Sequence, residues 1–368
     1  MPAGVYIHIP FCKSRCSYCD FATDVYRSGD AVERYVAAIC KEISGFPSRD
    51  VCIDTIYFGG GTPSMLSPEQ IDSILRTVRG TFDVFAEAEI TMEMNPATVS
   101  AESLHTYQEL GINRASFGVQ TFNEHDLKLL ARGHDANDVR QTFRLLRDAG
   151  FKNVSFDLIA GLPGQSMDDW SRNLEEAISM RPEHLSLYLL EVHEGTPLAD
   201  QLRSGRRPMP DEEVAAEMYE LMIDTLEGSG YRQYEISNFT KPGFESKHNT
   251  KYWRMDPVYG FGVSAHSFDG SQRYANDRDT NSYVDRIERT GVSEVYREAI
   301  DPASESVFLG LRLNEGIDLK EHRMKFGVDL TVKMAALESN GLVEINDGRV
   351  SLTRNGMLFS NEVFAVFV

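Results

Sequence analysis

Between Val5 and Leu190 the chain alternates two patterns of hydrophobic and polar positions. Short runs rich in β-branched and aromatic residues, bounded by Gly, Pro or Asn, predict strands at 5–10, 53–59, 89–95, 114–120, 153–160 and 184–191. Longer runs between them, with apolar residues every three or four positions, predict helices at about 30–46, 68–79, 100–110, 136–149 and 168–180. Ser67-Pro68-Glu69 and Ser100-Ala101-Glu102 place a hydroxyl cap before an acidic first turn. Gly111 and Gly150 stand where helices should stop. Six β/α units in a row predict an α/β fold with a parallel sheet curled into a partial or full barrel.

The last third has a different texture. Pro208–Glu213 and Gly243–Glu245 interrupt the pattern, and a helix at 211–228 precedes a short apolar run, Tyr234–Phe239. From about Ser304 the chain reads helix, helix, then two short strands. Asn346-Asp347-Gly348 between the apolar runs of Glu344–Leu352 is a hairpin signal. This divides the chain into a core at 1–240, a connecting region at 241–303 and a winged-helix-like α+β domain at 304–368. Winged helices often bind DNA, but this one is not basic, so a lid or partner-docking role is expected.

Charge and composition narrow the classes. A formal net charge of −19 repels nucleic-acid phosphate and argues against RNA or DNA as a partner. Arg203, Arg206 and Arg207 cluster, and read as a solvated loop. No apolar run approaches the roughly 18 residues of a membrane span, and the start lacks the pattern of a signal peptide. A protein without a membrane anchor, in the reducing cytoplasm, is expected. The sequence sets no oligomeric state, and a homodimer is compatible with it.

Of five cysteines, Cys40 and Cys52 read as buried core thiols. The other three carry the candidate chemistry. They follow the first strand in Cys12-Lys13-Ser14-Arg15-Cys16-Ser17-Tyr18-Cys19. A structural zinc site or an ordinary ferredoxin cluster takes four protein ligands. Three suit a four-iron cluster with one iron left open; reduced thiols, or zinc completed by His8, are the alternatives. The loop lies past a strand's C-terminal end, where a β/α barrel carries its chemistry.

Polar residues mark the other strand ends. Gly59-Gly60-Gly61-Thr62-Pro63 follows the second strand and lets backbone approach a ligand closely, with no Lys-Ser/Thr to make it a phosphate loop. Glu93, Gln120 and Asp157 end later strands, and Arg132 follows the fourth. Charges within apolar strands cost several kcal/mol unless paired, so a polar ligand explains the set better than packing. A second motif, Lys247-His248-Asn249-Thr250-Lys251-Tyr252-Trp253, sets an imidazole beside two aromatics. Imidazole is a haem ligand; the plainer reading is a surface helix with an aromatic anchor. Gly260–Ala265 imitates a dinucleotide fingerprint without the strand–turn–helix context, and is rejected.

Together, the cysteine motif, the glycine loop, Asp157-Leu158-Ile159-Ala160-Gly161-Leu162-Pro163-Gly164-Gln165 and His248-Asn249-x-x-Tyr252-Trp253 resemble the HemN/HemW group of the radical S-adenosylmethionine (SAM) superfamily. The resemblance spans essentially the whole chain and implies a partial (β/α)6 barrel with a C-terminal winged-helix-like domain. It implies that Cys12, Cys16 and Cys19 ligate a [4Fe–4S] cluster whose open iron chelates SAM. Tyr6, Gly60 and Glu93 would face that SAM. Tyr18, Gly61, Thr62, Gln120, Arg132 and Asp157 match positions lining the two SAM molecules of HemN. Members of the HemN branch, the coproporphyrinogen III dehydrogenases, carry a further cysteine where this chain has Phe21, and an N-terminal extension. The His-Asn-x-x-Tyr-Trp motif is that of the HemW branch, the haem chaperones. The resemblance therefore implies haem binding and transfer to recipient haem proteins, with His248 as the haem-associated residue. A coproporphyrinogen III dehydrogenase, or another radical SAM enzyme such as a methyltransferase, is the alternative.

Overall fold

In a computed structural model, which describes residues 1–26, 28–47 and 50–368, the six expected strands form and pair in parallel in chain order. They are β1 (Ala3–Ile9), β2 (Cys52–Gly60), β3 (Asp83–Met94), β4 (Arg114–Gln120), β5 (Val154–Ala160) and β6 (His184–Leu189). The connecting helices are α1 (Gly29–Ser44), α2 (Pro68–Thr81), α3 (Ala101–Glu109), α4 (Ala136–Asp148) and α5 (Met167–Met180), all close to expectation. Ser67 and Ser100 cap α2 and α3 as the sequence signals indicate, each accepting a backbone N–H from the third helical residue. Gly111 and Gly150 follow the C-caps with φ of +98° and +93°, which a side chain rarely tolerates.

Two faces of each strand do different work. Val5, Ile7, Ile9, Ile56, Phe58, Met92, Phe117, Phe156 and Leu185 are fully buried and belong to one large apolar core. The alternate positions are polar. In register, Gly4 meets Thr55, Tyr6 meets Tyr57 and His8 meets Gly59. Thr91 meets Arg114, and Glu93 meets Ser116. Thr55, Thr91, Arg114, Ser155 and His184 are nonetheless buried. A polar face can only be buried in this way where the sheet curls around it and its groups bond one another.

The region expected to connect, 241–303, instead extends the same sheet. It supplies α6 (Lys247–Arg254) and four strands: β7 (Val258–Phe261), β8 (His266–Phe268), β9 (Gln272–Asn276) and β10 (Glu294–Ala299). Strand β7 lies beside β1 and parallel to it, a seventh parallel strand. Its glycines hid it from sequence patterning. A Cβ at Gly260 would stand 2.4 Å from the His266 carbonyl oxygen, and one at Gly262 2.6 Å from that of His8. Close strand packing explains these glycines, and no helix follows them. Two short strands, Arg232–Glu235 and Asn238–Thr240, extend the other side beyond β6, and the twelve-stranded sheet stays open at its two edges.

The last part of the chain forms helices Pro302–Gly310, Leu319–Phe326 and Thr331–Ser339, then the expected hairpin of Val343–Asn346 and Arg349–Leu352, and two short helices, Arg354–Leu358 and Ser360–Ala365. Asp347 and Gly348 turn it at φ of +51° and +81°, as a two-residue hairpin loop requires. A third strand, Ile317–Asp318, completes the wing. Cys40 and Cys52 are half-buried rather than fully enclosed; the Cys52 thiol lies 3.6 Å from the Asp83 carboxylate. Among the described residues no helix is long and apolar enough to cross a membrane.

Candidate functional site

Pro10 ends β1, and the cysteine loop folds out over the C-terminal end of the sheet. Cys12 enters a short parallel pairing with Asp24–Val25, which closes the loop. Its middle is pinned from two sides. Ser17 donates its N–H to the Leu130 carbonyl at 3.0 Å and its hydroxyl to that of Leu129 at 2.9 Å, while the Leu198 N–H donates to Ser17 at 2.8 Å. A small apolar cluster of Leu129, Leu130, Ile159, Leu162, Leu198 and Leu202 packs against Tyr18 beneath it.

Cys12, Cys16 and Cys19 are half-buried free thiols. Burial pushes the Cys12 thiol up to about 11 and also raises Cys19. Both are therefore protonated without a metal, and binding one as thiolates releases protons. Among the described residues no three His, Cys, Asp or Glu side chains converge on a single-ion site. His8 is engaged elsewhere, its Nε2 bonded to the Ala22 carbonyl oxygen at 2.8 Å and its Nδ1 to the Tyr6 hydroxyl at 3.0 Å. As placed, His8 is not free to complete a zinc site with the thiols. Three spaced thiols on one loop suit a polynuclear cluster, in which each sulfur takes a different metal atom.

The glycine loop lies against the cysteines. A Cβ at Gly61 would stand 2.6 Å from the Pro10 carbonyl oxygen and 2.9 Å from the Cys12 sulfur. At Gly60, where φ is +112°, it would stand 2.7 Å from the His8 ring. Only glycine permits this approach. The Thr62 hydroxyl donates to Cys12 Sγ at 3.6 Å and accepts from Asn95 Nδ2 at 2.7 Å. Arg132 reaches across with three contacts, to Cys16 Sγ at 3.4 Å, Asn95 Oδ1 at 2.7 Å and the Gly118 carbonyl at 2.6 Å. Two cysteines, the glycine loop and β3 are thereby tied into one network.

Glu93 accepts from the Tyr57 hydroxyl at 2.7 Å and from the Gly60 N–H at 3.1 Å. Burial pushes its carboxyl up to about 7 and nearby Asp157 adds to this, while those two hydrogen bonds and the Arg114 cation oppose it. Asp157 is likewise raised by burial and accepts a 3.4 Å bond from Ser116. A cationic group placed beside Glu93 would favour its ionised form. Gln120 closes the ring at φ +67°, a left-handed conformation that a non-glycine residue adopts at a cost of about 1 kcal/mol or more. Tyr6, Tyr18, Gly60, Gly61, Thr62, Glu93, Gln120, Arg132 and Asp157 thus gather with the cysteines on the inner face or its C-terminal rim.

His248 stands at the opposite end. Helix α6 closes the floor of the barrel, and the residue is 1% exposed. The N–H groups of Lys247 and His248 donate to the Glu89 carboxylate at 3.2 and 3.1 Å. Lys251, also buried, pairs with Asp54 at 2.7 Å and donates to the Pro2 carbonyl at 2.8 Å. The His248 ring bonds Thr55 Oγ1 through Nδ1 at 2.9 Å and the Tyr252 hydroxyl through Nε2 at 3.1 Å. Burial, then Lys251 and Arg114, push its pKa down to about 3, so the ring is neutral. The surface helix suggested by the sequence is an interior plug, and both of the nitrogens that could take iron are engaged.

Sequence patterning passed over Asn95, Tyr57 and Arg114 as functional positions, and considered His8 only as a zinc ligand. The period of two along each strand was the available signal: all but Asn95 share the inner face with Tyr6 and Glu93.

Comparison with known proteins supplies the family. Residues 6–177 match the Radical SAM superfamily and residues 298–359 the HemN C-terminal domain. A Bacillus subtilis (strain 168) protein named "Heme chaperone HemW" is 38% identical over 99% of this chain and 99% of its own length. The chain belongs to the HemW family of radical SAM proteins. A HemW of Lactococcus lactis is 34% identical, covering 100% of this chain and 97% of that protein. A zebrafish relative, "Radical S-adenosyl methionine domain-containing protein 1, mitochondrial", is 33% identical over 94% of this chain and 81% of its own. The solved structure of Escherichia coli coproporphyrinogen III oxidase (HemN), a radical SAM enzyme, superposes with a TM-score of 0.87. It covers 100% of this chain and 90% of that one, at 24% identity, and so shares the fold. Membership of the radical SAM superfamily implies a [4Fe–4S] cluster and SAM.

Proposed function

We propose that this HemW-family protein binds haem and delivers it to recipient haem proteins, while holding a [4Fe–4S] cluster and SAM at the C-terminal end of its barrel. The observation that carries the haem reading is full-length similarity to proteins named haem chaperones. A reducing, cytoplasmic setting goes with it, since a thiolate-held iron–sulfur cluster needs one.

Cys12, Cys16 and Cys19 are the proposed cluster ligands. Gly60 and Gly61 supply bare backbone against the ligand, and Glu93 receives the SAM ammonium. Thr62 and Arg132 donate toward the sulfurs of Cys12 and Cys16, and such donors favour thiolate over thiol. Tyr6, Tyr18, Gln120 and Asp157 line the remaining wall. When bound, a reduced cluster supplies one electron to SAM. The protein's part is to orient the methionine end, exclude water and tune the cluster through these donors.

The experiment uses anaerobically reconstituted protein, given haem in one arm and coproporphyrinogen III with SAM and reductant in the other. Haem binding at a fixed stoichiometry with no decarboxylated product is expected. Formation of protoporphyrinogen would replace this reading with the dehydrogenase one.

A further inference from the structure

His248 sits in a triad of rings with Tyr57 and Tyr6, 6.4 Å from the Tyr6 centroid. Its ring stacks on Tyr57 with centroids 5.1 Å apart and planes 27° from parallel. Tyr57 in turn stacks on Tyr6 at 6.1 Å and 25°. The Tyr57 hydroxyl is the 2.7 Å donor to Glu93 Oε1. Glu93 Oε2 holds the N–H of Gly60, at the apex of the glycine loop.

Everything around the imidazole fixes it in place. Thr55 and Tyr252 hold its two nitrogens. The space it needs against β1 exists because position 4 is glycine: a Cβ there would come within 3.2 Å of His248 Cε1 and 2.8 Å of Thr55 Oγ1. Glu89 anchors the helix N-terminus and Lys251 its second turn, so the ring cannot shift without moving α6. From the outer side of α6, Trp253 lies under the Arg312 guanidinium at 4.2 Å, which joins the helix to the C-terminal segment. A ring with both nitrogens engaged, buried and braced in this way, serves geometry; to ligate iron it would have to break a hydrogen bond and leave a buried hydroxyl unpaired.

We propose that His248 is a positioning residue for Glu93, acting through the ring of Tyr57, and is not an iron ligand. It rests on the reading that SAM binds against Glu93. The floor helix thereby sets how the carboxylate meets the SAM ammonium, and haem binds elsewhere on the protein.

The test titrates anaerobically reconstituted full-length protein with SAM, without reductant so that SAM stays intact, and separately with haem. Cluster content is followed by visible absorbance. His248→Ala and Tyr57→Phe are each expected to weaken SAM binding about tenfold, as loss of one charge-assisted contact does. The double variant should be no weaker than the weaker single, because both act on one carboxylate. His248→Phe keeps a ring against Tyr57 but no nitrogen, and should hold both SAM and haem affinity within about threefold of the wild type. If His248→Ala loads no cluster, His248→Leu, of similar volume without a ring, takes its place with the same expectation. Loss of haem binding in His248→Phe would overturn the proposal, as would unchanged SAM affinity in both His248→Ala and Tyr57→Phe. Glu93→Gln separates the two readings. If it leaves SAM affinity unchanged, the SAM site itself is misread; if it weakens SAM while the His248 variants do not, only the positioning role falls.

Discussion

The two ends of the barrel interior use the same residue types to opposite effect. At the C-terminal end, three thiols, a carboxyl pushed up to about 7 and the half-buried Arg132 gather beside backbone that tolerates no Cβ. At the N-terminal end, Glu89, Thr55, Lys251 and His248 are more deeply buried but fully engaged: Glu89 and Thr55 bond His248, and Lys251 pairs with Asp54. Both ends look like sites in the sequence. Polarity inside a barrel does not by itself mark where a ligand goes. What sets the C-terminal end apart is the combination of raised carboxyl and thiol pKa values, glycine forced by close approach to a cysteine, and a strained residue, Gln120.

The contrast predicts that the two ends fail differently. The largest effect belongs to the thiols. Cys16→Ala should abolish cluster loading, read as loss of iron content and of the visible band, while apo stability changes by less than about 1 kcal/mol. Retained iron at full stoichiometry would end the distinction at its strongest point.

Next come the buried carboxyls. Glu42, which joins α1 to the β7–β9 edge by accepting from Gly262, Asn276 and Tyr283, is pushed up by burial to about 7, as is Glu93. Each has a folded pKa above its unfolded value. Its stabilising share is therefore whole below about 4.5 and lost as pH rises through about 7, roughly 3 kcal/mol per group. Urea unfolding of the apo protein from pH 4.5 to 8 should show that decline, and Glu42→Gln should flatten it. An unchanged slope would mean that the group is ionised at lower pH than its burial implies.

Glu89→Ala attacks the floor. It leaves two buried N–H groups at the start of α6 without an acceptor, and should cost about 1–3 kcal/mol in urea unfolding while cluster loading stays intact. Loss of iron in this variant would erase the difference between the ends. Smallest is Phe21, 66% exposed beside the cysteine loop. Phe21→Ser should leave iron content intact and shift stability by no more than about 0.5 kcal/mol.

Much of this was legible beforehand. The six β/α units, their caps and the wing hairpin follow from signals within a few residues of one another, and all formed. The gathering of polar groups at the C-terminal end was legible because Glu93, Gln120 and Asp157 are polar interruptions at or near strand ends and Arg132 follows the fourth strand; that SAM binds among them is the proposal made above. Asn95 was passed over since its role is to bridge Thr62 and Arg132, which are 70 residues apart. Arg114 looked like a strand boundary; its burial shows only when the sheet curls. Strand β7 was hidden by Gly260 and Gly262, which pack against strands met only in the folded sheet.

By itself the sequence determined the order of elements, the three-thiol loop and the glycines beside it, because these depend on local periodicity and spacing. Tertiary structure alone decided where the His-Asn-x-x-Tyr-Trp motif lies. The placement of β7 against β1, some 250 residues away along the chain, brings α6 beneath the barrel and turns an apparent surface helix into its floor. Whether an imidazole faces solvent, iron or the ring of Tyr57 depends on such long-range pairing, and no local pattern encodes it.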